Sequence, residues 1–110
     1  MGKRTQVPPG TLVMLILHAL EHLEPMHGYG IGQYIQRTTE NVLQIEEGSL
    51  YPALQRMLVK GWIRGEWRKS EKNRRARYYS LTAAGRRQLG LEVEEFQRVT
   101  EAIRRVVEPA

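Results

Sequence analysis

The sequence predicts a mainly α fold that carries one small β-hairpin and ends in a long helix, and three observations predict it. Apolar residues recur at helical spacing in four stretches, near residues 11–23, 28–38, 48–60 and 82–108. Between the third and fourth the period drops to two, with Ile63, Gly65 and Trp67 alternating against Arg64, Glu66 and Arg68. The cations are also concentrated. Residues 56–87 hold eleven Lys or Arg against Glu66 and Glu71, a local charge of +9 in a chain of +5, which leaves −4 elsewhere. Charge segregated this sharply marks a polyanion-binding face more than a solubilising surface.

The first helical stretch, residues 11–23, is apolar nearly all round the wheel, as expected of a helix buried on most sides. Pro8 and Pro9 precede it, and Glu24 and Pro25 end it. His27 to Gly32 opens a second helix running to about Thr38, with Tyr29 or Ile31, then Tyr34 and Ile35, as its apolar positions. A short loop over residues 39–45 leads to the third helix, which buries Leu50, Leu54, Met57 and Leu58. Proline is tolerated in a first turn, so Pro52 places the start of this helix near Gly48 or Ser49, and Gly61 closes it. Ser49, Pro52, Ala53 and Arg56 are expected on its opposite face, flanked by Tyr51 and Gln55. Two helices and a short connection to a third give a helix-turn-helix layout, in which the last helix is presented to a major groove.

The alternating segment after Gly61 reads as a strand, residues 69–73 as a polar turn, and residues 76–81 as a second strand with Arg77, Tyr79 and Leu81 on one side. The hairpin tip carries Lys69, Lys72, Arg74 and Arg75, so the whole is a winged helix-turn-helix. Trp62 and Trp67 are read as core, the usual place for tryptophan beside a helix packed on a two-stranded sheet. Thr82 is a good N-cap for the last helix, although Gly85 and Gly90 interrupt its propensity. Leu89, Val93, Phe96, Thr100, Ile103 and Val107 step by 4, 3, 4, 3, 4, and Val99 widens the stripe. So long a stripe needs a partner, so a two-fold homodimer through this helix is expected, with a helix folded back over the first helix as the alternative. The chain therefore divides into a winged helix-turn-helix domain, 1–81, and a C-terminal dimerisation helix, 82–110.

A chain of 110 residues without cysteine fits one modest core and leaves no disulfide or thiolate chemistry. The apolar run over residues 12–17 is far short of the ~20 needed to span a bilayer. No small-residue cleavage site follows the basic start at Lys3 and Arg4, so a cytoplasmic protein with no membrane association is expected. His18 and His22 stand four apart, but with only His27 beyond them they are read as surface or packing residues, and no metal or cofactor is expected. The glycines at 28, 30 and 32 follow no strand and lack a P-loop lysine. No catalytic constellation is marked out, and an enzyme is not expected.

Three segments carry a family resemblance. GSLYPALQRM at 48–57, NRRARYYSLTAAGRRQL at 73–89 and MHGYGI at 26–31 resemble the PadR family of bacterial transcriptional regulators in order and spacing. The resemblance implies a dimeric repressor of the shorter type, with a single C-terminal dimerisation helix. It makes Ser49, Tyr51, Pro52, Gln55 and Arg56 candidates for the major groove of double-stranded DNA, with Gln55 and Arg56 matching adenine and guanine edges. Lys69, Lys72, Arg74, Arg75 and Arg77 become phosphate contacts, and Lys3 and Arg4 a flexible basic arm. Some family members bind flat aromatic effectors between dimerisation helices, which points to a pocket at Phe96 and Val99; phenylalanine offers less surface there than tryptophan, and a packing role is the simpler reading. A phenolic-compound or multidrug sensor, and a winged-helix module that binds protein instead of DNA, are the competing functions.

Overall fold

Because residues 12–23 are apolar on almost every side, the helix they form has to be surrounded. In the computed structural model, which describes residues 3–8 and 10–108, it is the centre of the fold. The described elements run β1 (Thr5–Gln6), α1 (Leu12–Leu23), β2 (Met26–His27), α2 (Gly28–Thr38), β3 (Leu43–Gln44), α3 (Glu47–Val59), β4 (Ile63–Lys69), β5 (Arg75–Leu81) and α4 (Ala83–Val107). Helices α2, α3 and α4 and strand β5 all pack on α1, and Ile16, Leu17 and Leu20 lose all contact with solvent. Pro9, expected with Pro8 ahead of α1, lies outside the described residues.

The hairpin pairs β4 with β5 from Ile63 opposite Leu81 to Lys69 opposite Arg75. Two further pairings were not foreseen. Strand β2 adds Met26 and His27 to the free side of β5, and β1 runs parallel to β3, with Thr5 opposite Leu43. Each spans two residues, too few to leave a periodicity in the sequence. His27 also caps α2, its Nδ1 accepting from the Gly30 N–H at 2.9 Å.

Helix α3 departs from expectation in two ways. It starts at Glu47, because the Glu46 carbonyl already accepts from the Leu50 N–H at 2.9 Å. Pro52 therefore lies in the second turn, where its missing N–H leaves the carbonyl of exposed Gly48 to solvent. Ala53, expected on the polar face, is fully buried. It lies only ~60° round the wheel from Leu50, and its small side chain lets α3 approach the core closely.

Three bonds join the end of α3, the hairpin and the start of α4. The Thr82 hydroxyl donates to the Gly61 carbonyl at 2.6 Å and accepts from the Gly85 N–H at 3.0 Å, while the Thr82 N–H donates to the Trp62 carbonyl at 3.1 Å. Glu24, just past α1, adds a clip: it accepts from the Leu81 N–H at 2.7 Å and from Arg86 at 2.5 Å. A Cβ on Gly85 would come 2.0 Å from the Trp62 carbonyl oxygen, so the glycine read as a weak point is what lets α4 seat.

The apolar stripe of α4 is divided. Leu89, expected to face a partner subunit, is only 5% exposed in the chain's own core, and Val93 packs against that core. Beyond them Phe96, Val99, Ile103, Val106 and Val107 are exposed. The helix folds over α1 at its start and projects at its end, which fits a radius of gyration of 15.2 Å against ~13 Å for a compact chain of this length.

The two glycines of α4 make opposite predictions. Gly85→Ala, facing backbone that cannot yield cheaply, is expected to lower stability by about 2–3 kcal/mol. Gly90→Ala, with nothing within 4 Å of the added carbon, is expected to raise it by about 0.5–1 kcal/mol. Urea denaturation of the two variants checks both signs.

Candidate nucleic-acid interface

With Leu50, Ala53, Leu54 and Met57 turned inward, α3 leaves Ser49, Tyr51, Pro52, Gln55 and Arg56 exposed, so the five groove candidates share the outer side of one helix. Pro52, Gln55 and Arg56 line a shallow groove together with Val59 and Lys60, which the sequence reading did not single out. Val59 is 79% exposed, and its spacing, four residues after Gln55 and three after Arg56 and so on the same helix face, is the signal that was passed over. Lys60 lies 5.3 Å from the Trp62 ring centroid, which ties the helix end to the base of the hairpin.

Tyr51 is anchored at the edge of this surface. A Cβ on Gly28 would fall 2.7 Å from its ring, so the phenol rests against the first residue of α2. Burial pushes its pKa up, and the charge of Glu47 and the nearby Tyr79 phenol add to the shift. Burial likewise raises Tyr79, with Arg77 opposing it. Both hydroxyls therefore stay protonated near neutrality and can donate hydrogen bonds.

In the hairpin, Lys69, Lys72, Arg74 and Arg75 are exposed around a turn closed by the Ser70 N–H to the Arg74 carbonyl at 2.7 Å, with Asn73 at φ +60°. Arg77 is half-buried. Trp67 corrects the sequence reading: it is 57% exposed and not core. Alternation puts it on the same side of β4 as buried Ile63, but the core ends at Tyr79, the residue opposite Gly65, and Trp67 lies two pairs further out, opposite Arg77. The guanidinium of Arg75 stands 4.9 Å, and that of Arg77 5.9 Å, from the Trp67 ring. Tyr51, Tyr79, Arg77, Trp67 and Arg75 thus form a row from α3 out to the tip of the hairpin.

Lys3 and Arg4 are exposed and lead into β1, whose pairing with β3 sets them beside the segment entering α3. His18 and His22 stack at 5.0 Å between ring centroids, and His22 stacks on Tyr34 at 6.2 Å. Among the described residues no group of three or more His, Cys, Asp or Glu is placed to hold a metal, and no helix is long and apolar enough to cross a membrane.

Three helices, the third with an exposed outer side, then a basic hairpin and a long C-terminal helix, define a winged helix-turn-helix protein. The chain matches the Transcriptional regulator PadR-like family over residues 16–91, and it belongs to that family as a transcriptional regulator. It is 31% identical to a protein of Lysinibacillus sphaericus described as uncharacterized, over 91% of each chain. A transcriptional regulator from Clostridium thermocellum shares the fold with a TM-score of 0.82 at 27% identity, covering 90% of this chain and 95% of the other. A PadR-like transcriptional regulator from Bacillus cereus matches with a TM-score of 0.75 at 25% identity, over 92% and 95%.

The raised phenols predict the alkaline behaviour. The unfolded chain ionises tyrosine near 10.0 and the folded chain holds the Tyr51 and Tyr79 protons higher, so their contribution to stability is complete below pH 10 and falls as pH rises beyond it. Tyrosinate absorbance is expected to lose one late-ionising step in Tyr51→Phe. Glu47→Gln should move the Tyr51 midpoint back toward 10.

Proposed function

We propose that the protein is a dimeric, sequence-specific DNA-binding repressor that acts in the cytoplasm on a pseudo-palindromic operator. Helix α3 enters the major groove, the β4–β5 wing lies along phosphates, and α4 supplies the dimer contact. The observation that supports this reading is the run of exposed cations from the end of α3 to the wing tip: Arg56, Lys60, Lys69, Lys72, Arg74 and Arg75 all reach solvent, within a stretch, residues 56–87, that carries +9. In this arrangement Gln55 and Arg56 read base edges, Ser49, Tyr51 and Pro52 fit the groove wall, and Lys69, Lys72, Arg74, Arg75 and Arg77 contact phosphates. Lys3 and Arg4 extend the cationic surface. The dimer buries Phe96, Val99, Thr100, Ile103 and Val107, with Val93 at the margin. An aromatic effector between the two copies has less behind it: Phe96 lines only a shallow groove, with Gln97, Thr100, Glu101 and Arg104, and Val99 lies outside it.

Binding to the DNA upstream of the chain's own coding region, followed across a salt series, tests the reading. A single palindrome with half-sites about one turn (~34–36 Å) apart is expected, with a steep salt slope. Arg74→Glu with Arg75→Glu should weaken binding on the order of 100-fold and flatten the slope by about two contacts, with the dimer intact. Arg56→Ala should cost about 1–3 kcal/mol and relax preference at one base position only. A wing variant that binds like the parent would favour a protein-interaction module instead. Separately, Ile103→Glu is expected to yield monomers in sedimentation equilibrium while the winged domain still melts cooperatively; an unchanged dimer would mean that another surface joins the copies.

A further inference from the structure

The two faces of the wing treat their arginines differently. On the outward face Arg68 pairs with Glu66 and lies 5.1 Å from the Tyr78 ring, so its charge is already answered within the hairpin. On the face continuous with Tyr79, Arg75 and Arg77 have no ion pair among those of the described residues, and both stand over the indole of Trp67. Arg75 is also directly opposite Lys69, a like-charge pairing that a sheet tolerates poorly. Two guanidinium groups near one ring and a third cation across the ladder repel one another. Such a cluster is favourable when something holds the cations and a polyanion meets them.

The backbone register explains how they are held. Trp67 is opposite Arg77, and Arg75 is its diagonal neighbour on the same face, within reach of a long side chain. Gly65 makes the space: a Cβ there would stand 2.5 Å from the Arg77 Nε and 3.2 Å from its Cζ. That Nε is buried and has no hydrogen-bond partner among the described residues, so any anion the guanidinium binds must come to its terminal nitrogens.

Resting on the reading of the wing as DNA-binding, we infer that Trp67 is a positioning residue whose indole holds Arg75 and Arg77 as a preorganised pair for the phosphates of double-stranded DNA. The ring removes rotamer freedom that both arginines would otherwise lose on binding. Trp67 acts through them and is not itself in contact with the bases. The contribution is to affinity, not to sequence preference, because phosphates carry no sequence information.

The test uses a random-sequence duplex at low salt, whose phosphates suffice as the probe. Trp67→Ala should weaken binding about fivefold to tenfold with an unchanged salt slope, and Trp67→Phe should recover most of the loss. In an Arg75→Ala, Arg77→Ala background, Trp67→Ala should have no further effect. An equal loss in that background would overturn the inference, because the indole would then be touching DNA itself; so would a Trp67→Ala protein that binds like the parent. Gly65→Ala, which displaces Arg77 alone, gives a second variant should Trp67→Ala fail to fold, and an intermediate loss is expected; none would count against the inference. The stack is also read without DNA: side-chain protons of Arg75 and Arg77 should be shifted upfield by the indole in NMR spectra of the free protein and return in Trp67→Ala. If the Arg75→Ala, Arg77→Ala protein binds DNA like the parent, the DNA-binding reading of the wing itself fails and the inference falls with it, whatever the ring-current shifts show.

Discussion

The structure depends on the close seating of α4 against the backbone of Trp62. That contact needs a residue without a side chain at Gly85, and the Thr82 hydroxyl holds it by bridging the Gly61 carbonyl to the Gly85 N–H. Five elements meet there: the end of α3, both ends of the wing, the start of α4 and, through Glu24, the end of α1. A polar joint of this kind is strong because its members satisfy one another. Removing one leaves a partly buried donor or acceptor unpaired, which costs more than the bond contributed.

The same joint explains why an exposed cationic surface can hold a defined shape. Long basic side chains carry much rotamer entropy, and a surface made of them is ordinarily soft. Here the backbone beneath is fixed at the base of the wing, and aromatic rings take up part of the freedom above it, with Lys60 on Trp62 and two arginines on Trp67. Tyr51 and Tyr79 continue the row, partly buried and protonated. Affinity for a polyanion then comes from charge, while orientation comes from rings and backbone.

Much of this was legible in the sequence. Helical periodicity located all four helices, alternation located the hairpin, and Thr82 and Gly61 were read correctly as cap and terminator. What was missed lacked a local signal. Strands of two residues have no period, and Glu24 meets Arg86 across 62 positions. Ala53 is too small to declare a face. Trp67 was misplaced because alternation says which side of a strand a residue takes, not how far along it the core extends. The stripe of α4 posed the same problem, since Leu89 and Ile103 look alike in sequence although one is buried in its own chain and the other is exposed. Of the candidate interface, the charged positions could be named from the sequence, but the row of aromatics that joins helix to wing could not.

The rigid joint also has a mechanical consequence. Helix α4 is an uninterrupted rod of 25 residues, ~37 Å long, fixed at one end beside the turn at Gly61 that follows α3 and the foot of the wing. It therefore works as a lever. In a dimer built as proposed, a tilt of ~5° at the fulcrum moves the far end by ~3 Å, and the reverse also holds. Whatever sets the crossing angle of two such rods sets the distance between the two α3 helices, so the spacing demanded of an operator is determined by packing far from any base.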